Sequence, residues 1–379
     1  MFHNVRIVVL ALSMVCGSAG VALAQASFSI IDHLGFGVAG AAQDCTPDGS
    51  TVVGVVDGRV YRWTEATGIE FLSESNAQHI FRAQISADGT TVVSNTFDAA
   101  SGAYSAGYWT EPTGWVPVGG LPWSVVVDGR ISSGWGVSED GSMITGFAWI
   151  EGGRGEAFRW TATEGMVSLG REPGASSRAT QVSADGNVVV GFFASPSGYW
   201  RPVRWVAPLF EPDLFLGDAV VGDVNDTTSN GGRLVGQVNM GALEATAFIF
   251  DDVHGHMDIG TVSGSSLHRS TAIAVSENGV VVGWSGDVIT GNIEGYVWTQ
   301  IDGIRRLREI LQDLGVDLGD WRPYTAKTIS DDGTVIYGEA FNPVTLESNV
   351  FRATLPLYVG LFNDDFESGD TGAWSASMP

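Results

Sequence analysis

The sequence predicts an all-β fold: a seven-bladed β-propeller of four-stranded blades, closed by an N-terminal strand that completes the last blade. Three observations carry this reading. A Ser-x-Asp-Gly turn followed by an apolar run recurs seven times, and an aromatic-rich strand follows each copy. The chain also ends one strand short of a full repeat and begins with one strand to spare. Self-similarity at a spacing of roughly 40–50 residues, with hairpin chemistry in each copy, describes blades around a ring.

The turns read TPDGSTVVG (46–54), SADGTTVVS (86–94), SEDGSMITG (138–146), SADGNVVVG (183–191), NDTTSNGGRLVG (225–236), SENGVVVG (276–283) and SDDGTVIYG (330–338). Their glycines, Gly49, Gly89, Gly141, Gly186, Gly231, Gly279 and Gly333, recur every 47 residues on average. The fifth copy departs from the clean turn. In a tight hairpin Gly takes positive φ and Asp caps the turn through its side chain, so these carboxylates read as turn formers, not metal ligands or acid/base groups.

Within a blade we label the strands a to d from the axis outward. Strand a precedes the turn and strand b follows it. Ala42, Gly134, Ala179, Ala272 and Ala326 stand four residues before the Ser or its equivalent, and such small side chains suit a crowded axis. Strand c carries Tyr61-Arg62-Trp63, Tyr108-Trp109, Phe158-Arg159-Trp160, Val203-Arg204-Trp205, Phe248-Ile249-Phe250, Tyr296-Val297-Trp298 and Val350-Phe351-Arg352. Its arginines are expected to join blades through buried hydrogen bonds. Strand d starts at a turn glycine and ends near Leu-Gly, as in Gly165…Leu169-Gly170. The seventh copy lacks a d strand, and Phe28 to Gly35 has the form of one, so the two ends should pair and cover an otherwise open edge. Between Leu307 and Asp320, Leu307, Ile310, Leu311 and Leu314 fall at helical spacing before Gly315, which predicts one short helix.

Residues 1–24 combine Arg6, an apolar run and Ala22-Leu23-Ala24, the pattern of a cleaved secretory signal. The propeller then occupies 25–358, and 359–379 form an acidic tail. A formal charge of −24 with no basic cluster argues against nucleic-acid and anionic-membrane partners. No segment after the signal is long and apolar enough to span a bilayer. Removing the signal leaves Cys45 as the one thiol, at a position where other copies have Val or Ile, so it is expected to be buried. The expected product is a secreted or extracellular monomer, with the cell surface and the periplasm as alternatives.

The order Ser-x-Asp-Gly with Val-Val-Gly, then Ala-Phe-Arg-Trp-Thr, then Gly-Met-x-x-Leu-Gly resembles the extracellular HAF repeat family of bacteria over roughly residues 28–355. Its best copy is SEDGSMITG (138–146) with EAFRWTATEGMVSLG (156–170). The resemblance implies a secreted repeat protein and carries no activity or cofactor with it.

The densest set of metal-ligating types is Asp251-Asp252-Val253-His254-Gly255-His256-Met257-Asp258, but Gly255 aligns as a c–d turn glycine, so the histidines flank a hairpin tip. Asp223, Asn225 and Asp226 lack the glycine and spacing of a calcium loop. No metal or cofactor is expected. Hydrolase signatures and a phosphate loop are absent, and His79 and His268 are the candidate general bases. The b–c and d–a connections vary in length and emerge on one face, where recognition usually resides. On that face we place Trp123, Trp135, Tyr199, Trp200, Trp321 and Tyr324, with Arg130, Arg178 and Arg201 nearby; the competing reading is that these rings pack against their own loops. The expectation is a non-enzymatic binding protein for an extracellular protein or glycan. The alternatives are a polysaccharide hydrolase or lyase working at the central opening, and a structural surface protein.

Overall fold

The computed structural model describes residues 25–31, 41–72, 82–239, 245–262, 269–287 and 291–356. The expected signal (1–24), His33, His79, His268 and the tail (359–379) lie outside the described residues. Seven antiparallel four-stranded sheets form the ring. The first blade is β2 (Ala41–Cys45), β3 (Thr51–Val56), β4 (Arg59–Thr64) and β5 (Gly68–Phe71). The second is β6 (Gln84–Ile85), β7 (Val92–Asp98), β8 (Ala103–Thr110) and β9 (Gly114–Gly119). The third is β10 (Ser132–Val137), β11 (Met143–Ile150), β12 (Arg154–Thr161) and β13 (Gly165–Gly170). The fourth is β14 (Ser177–Val182), β15 (Val188–Phe193), β16 (Pro202–Val206) and β17 (Glu211–Asp213). The fifth is β18 (Gly222–Thr227), β19 (Arg233–Asn239), β20 (Ala245–Asp251) and β21 (Gly255–Gly260). The sixth is β22 (Ser270–Val275), β23 (Val281–Asp287), β24 (Asn292–Thr299) and β25 (Gly303–Arg306). The seventh is β26 (Arg322–Ile329), β27 (Val335–Asn342) and β28 (Glu347–Thr354), completed by β1 (Ser27–Ile30).

Each repeated motif has a distinct physical job. In the a–b turn the Ser or Thr hydroxyl donates to the Asp carboxylate, as from Ser138 to Asp140 at 2.6 Å, and the same carboxylate accepts the Ser142 N–H at 2.9 Å. The Ser oxygen accepts the N–H five residues on, Met143, at 2.9 Å. The fifth copy makes the same turn with Thr228 and Asn230, whose hydroxyl and amide oxygen are 2.9 Å apart, so its departure in sequence costs it no hairpin. All seven turn glycines have φ between 63° and 81°.

The glycine ending Val-Val-Gly is required for a different reason. A Cβ at Gly54, Gly146, Gly191, Gly236, Gly283 or Gly338 would lie 1.8–2.1 Å from a carbonyl oxygen of strand a. Backbone cannot move aside as a side chain can. Gly191→Ala should therefore cost about 3 kcal/mol, read as a shifted urea midpoint. Gly295→Ala, whose Cβ meets nothing closer than 3.3 Å, should cost much less.

The Leu-Gly ending of strand d joins blades. Ser132, Ser177 and Ser270, at the start of strand a, donate to the carbonyls of Gly119, Gly170 and Gly260 in the preceding blade. The same hydroxyls accept N–H groups of Ala106, Ala157 and Ala247 at 2.8–2.9 Å, where the c–d register breaks. Apolar clusters between adjacent blades supply the core. The small residues of strand a serve this packing: a Cβ at Gly134 would meet Val93 Cγ1 at 2.8 Å in the preceding blade.

The c-strand arginines differ from expectation. Arg62 pairs with Glu70 at 2.7 Å in its own blade and lies over Trp109 of the next; Arg204 pairs with Asp213 at 2.7 Å and with Asp252 of the next blade at 2.9 Å. They join blades through partly exposed ion pairs and ring stacking, because they lie toward the outer strands where water competes. The helix is α1 (Leu307–Asp313). Gly315 N–H bonds Gln312 O and Val316 N–H bonds Leu311 O, a Schellman ending. Leu307, Ile310 and Leu311 are buried, whereas Leu314 is exposed.

Candidate functional site

Strand a is the edge that faces the axis, and six of the seven carry the same irregularity. Register shifts fall at Ala42/Asp44, Gly134/Gly136, Ala179/Gln181, Val224/Asp226, Ala272/Ala274 and Ala326/Thr328. The extra residue at each shift is Gln43, Trp135, Thr180, Asn225, Ile273 or Lys327. A bulge inserts one residue and re-aims its neighbours, so the alternation of a plain strand is lost here. Asp44, Gln84, Gly136, Gln181, Asp226, Ala274 and Thr328 are the equivalent residues just beyond it. Gln181 Nε2 donates to Gln84 Oε1 at 2.9 Å, from the fourth blade to the second. Gly136 of the third blade leaves room, since a Cβ there would lie 2.7 Å from Gln181 Oε1.

At the a–b turn end lies a cavity of about 100 Å³ lined by Asp44, Cys45, Glu139, Asp226, Glu277 and Asp331 among others. The residues between Ser and Asp of each turn bond around its rim. Ala87 N–H donates to Glu139 O, Glu139 to Ala184 O, Ala184 to Ser229 O, Glu277 to Asp331 O and Asp331 to Pro47 O, at 2.8–3.2 Å. Ser229 N–H turns instead to the Glu277 carboxylate.

Asp44 accepts N–H groups from Cys45 and, across the blade boundary, from Ile85, both at 2.9 Å. Asp226 accepts the Val275 N–H of the next blade at 2.9 Å. Enclosure by protein pushes both carboxyls up to about 7 against these hydrogen bonds, and Asp331 rises to about 6 through burial and the nearby Glu277 and Glu139. Cys45 is 9% exposed with Sγ 3.4 Å from Thr328 Oγ1, and burial first, then the Asp44 charge, pushes its thiol far up. It is a buried thiol, as its position among Val and Ile predicts.

The other end of the channel, where b–c and d–a connections emerge, has different chemistry. Arg82, Trp135, Arg178 and Asp223 come from consecutive blades, the second to the fifth. Arg178 lies 4.0 Å over the Trp135 ring, 4.8 Å over Phe192 and 5.5 Å over Trp200, and it pairs with Asp223. Arg82 also lies over Trp135, at 4.8 Å. Phe192 and Trp200 are stacked with centroids 4.2 Å apart and planes 4° apart. Burial and the neighbouring Arg178 push Arg82 down to about 10.

The predicted site residues separate into groups. Trp135 and Trp200 meet around Arg178, with Tyr199 beside them, 61% exposed. Trp135 is not on a loop: it is the bulged residue of β10, and the bulge carries it to the axis. Tyr324 likewise lies in β26, where burial and Glu339 raise its hydroxyl. Trp321 lies in the connection before β26 and packs, partly buried, on the cluster of Leu307, Ile310 and Leu318. Trp123 lies in the connection after β9, 53% exposed, its Nε1 3.4 Å from Glu156. Arg201 is buried, bonds Phe193 O at the start of its own connection and pairs with Glu172 and Asp218 in the connections before and after its blade, so it staples these connections together.

The metal candidates disperse. His254 Nδ1 contacts Asp251 at 2.9 Å on the hairpin tip, and His256 packs on Phe248. Asp223 pairs with Arg178, Asn225 donates to Ala272 O at 2.7 Å, and Asp226 holds Val275 N–H. Among the described residues no three His, Cys, Asp or Glu are grouped to hold a metal ion. Sequence reasoning missed Arg82, Phe192, Asp44 and the role of Asp223. For Asp44 the available signal was its place in the repeat: Asp44, Gln84, Gln181 and Asp226 all stand two residues before the turn Ser or Thr.

No family model matches the chain, and no curated protein matches it. Solved structures do. The β-propeller domain of the Trilobed protease from Pyrococcus furiosus has TM-score 0.55 at 11% identity, over 86% of this chain and 98% of that one. A prolyl endopeptidase has TM-score 0.52 at 12% identity, over 84% of this chain and 50% of its own, so this chain spans half its length. A putative TolB from Agrobacterium tumefaciens has TM-score 0.46 at 16% identity, over 61% of this chain and 86% of that one. At such identities the likeness shows fold alone. The Pyrococcus propeller is described as having an open velcro topology; here β1 closes the last blade. The chain is a seven-bladed β-propeller, similar in fold to protease propeller domains.

Proposed function

We propose that this chain is an exported, non-enzymatic binding protein that recognises a glycan on the face where the b–c and d–a connections emerge. The observation that carries this is the Phe192–Trp200 stack beside Trp135 and Arg178, with Trp200 44% exposed. A rigid, partly exposed aromatic surface at the end of a channel suits the flat apolar face of a sugar ring. Export rests on the residue 1–24 pattern and on the resemblance of the repeats to those of the extracellular HAF family. The test is a glycan array with the mature chain beside Tyr199→Ala and Trp200→Ala. Binding that falls at least about tenfold in a still-folded Trp200 variant is expected; unchanged binding would remove this face as the site.

A second reading, a polysaccharide hydrolase or lyase, is favoured by one observation: Asp44 and Asp226 line the axial cavity with raised pKa values. Against it, each is held by backbone N–H groups, Asp44 by Cys45 and Ile85 and Asp226 by Val275, which gives both a structural task. No new reducing ends are expected when bound polysaccharides are incubated with the protein.

A further inference from the structure

Three buried polar atoms at the loop-face end of the channel have no hydrogen-bond partner among the described residues: Arg82 Nε, Trp135 Nε1 and Asp223 Oδ1. Arg178 Nε donates to Thr180 Oγ1 at 3.3 Å and Nη2 donates to Asp223, which fixes the guanidinium beside these atoms. Buried polar atoms in folded proteins are almost always paired, because each orphan forfeits its bonds to water. One orphan is an irregularity of packing. Here the orphans sit on residues joined by ring stacking and an ion pair, at the end of an axis.

Their chemistry defines what would satisfy them. Two guanidiniums and an indole N–H require acceptors, and two guanidiniums beside the one Asp223 carboxylate favour a monoanion. Asp223 Oδ1 requires a donor, in practice a hydroxyl, and repels a dianion such as phosphate. Beside these groups, Trp200 on Phe192 offers a flat apolar surface. A carboxylate, a hydroxyl and a flat ring face occur together in a uronic acid residue.

Resting on the glycan reading above, we infer that the site formed by Arg82, Trp135, Arg178, Asp223 and the Phe192–Trp200 stack takes a uronate residue of an acidic polysaccharide, its carboxylate on the two arginines and a ring hydroxyl on Asp223. Selectivity comes from local charge: in a chain of charge −24, an acidic polymer is repelled by most of the surface and bound only where these cations converge.

The experiment is calorimetric titration of the mature chain with oligosaccharides from pectate, alginate and glucuronan, each beside its carboxyl-reduced neutral counterpart. At least one uronate series should bind roughly tenfold or more tighter than its neutral form, the factor a charge-assisted hydrogen bond contributes, and added salt should weaken it. Arg82→Gln is the informative variant, because it leaves the Arg178–Asp223 pair in place; it should weaken the preference for the charged form in a protein that still melts cooperatively. Trp200→Ala should weaken charged and neutral forms together. Equal binding of both forms, or a preference untouched by Arg82→Gln, overturns the uronate assignment while leaving the glycan reading standing. No binding to any oligosaccharide, in titration or on the array, overturns both.

Discussion

Deleting residues 25–31 should open the ring and remove the cooperative melting of the seventh blade. Strand β1 pairs with β28 from Ser27↔Thr354 to Ile30↔Phe351, Phe28 stacks on Phe351 at 5.4 Å, and Ile31 N–H bonds Val350 O at 2.9 Å. Ile31 is 3% exposed and packs with residues of the first and seventh blades, among them Val52 and Val350. The closure therefore seals a sheet edge and fills part of a core. Without it β28 offers a row of unpaired backbone groups to other chains. The truncated protein should elute as aggregates or oligomers and be cleaved in its last blade by protease. A synthetic peptide of residues 25–31 added in trans should restore the monomer, because an open edge accepts a matching strand. Ile31→Ala isolates the core contribution and should cost about 2–3 kcal/mol. A truncated chain that stays monomeric and melts like the full one would show the ring held by its blade interfaces alone.

The second large effect is a loss of stability as pH rises. Asp44 and Asp226 have an ordinary carboxyl value of 3.8 in the unfolded chain and about 7 in the folded one. Below pH 4 both states hold the protons, and these groups cost folding nothing. Between pH 4 and 7 the unfolded chain releases them while the folded chain retains them, so stability falls with each step of pH. Asp331, at about 6, adds in the same direction. A shift near three pKa units corresponds to about 4 kcal/mol per group as an upper limit, reduced by hydration in the channel. The turn carboxylates oppose this at the acid end. Asp48, Asp88, Asp140, Asp185 and Asp332 are held below their usual value by turn hydroxyls and N–H groups, so their contribution is lost as pH falls through that depressed range.

The melting temperature should thus peak near pH 4–5 and drop by roughly 10 °C toward pH 8. The double variant Asp44→Asn/Asp226→Asn should lose most of the falling limb, whatever its absolute stability. A melting temperature that stays level or rises from pH 5 to 8 would mean that the N–H donors and Arg82 keep these carboxylates ionised in the folded ring.

Much of the fold is written locally. Every turn glycine stands at positive φ because Asp-Gly and Asn-Gly chemistry is decided within four residues. The short helix and its glycine ending follow from spacing over nine residues, Leu307 to Gly315. The pairing of the chain ends spans more than 300 residues, yet counting strands per repeat reveals it, since a ring leaves only one place for the spare strand.

The site was only partly legible, for a reason visible in Trp135. Read as one more aromatic near a variable connection, it belongs with Trp123 and Trp321; the bulge in β10 instead aims it at the axis, under Arg82 and Arg178. Asp223, Asn225 and Asp226 stand together in sequence and part in space, one to an arginine and two to the next blade's backbone. The Gln84–Gln181 bond joins residues 97 apart through a gap that exists only because the intervening blade has Gly136. The sequence by itself determined blade number, strand order, turn chemistry and closure, because those depend on local propensity repeated at a steady interval. Which side chains converge at the two ends of the channel was decided only by tertiary structure, because a one-residue bulge reverses facing and the convergence joins positions that are neighbours only around the ring.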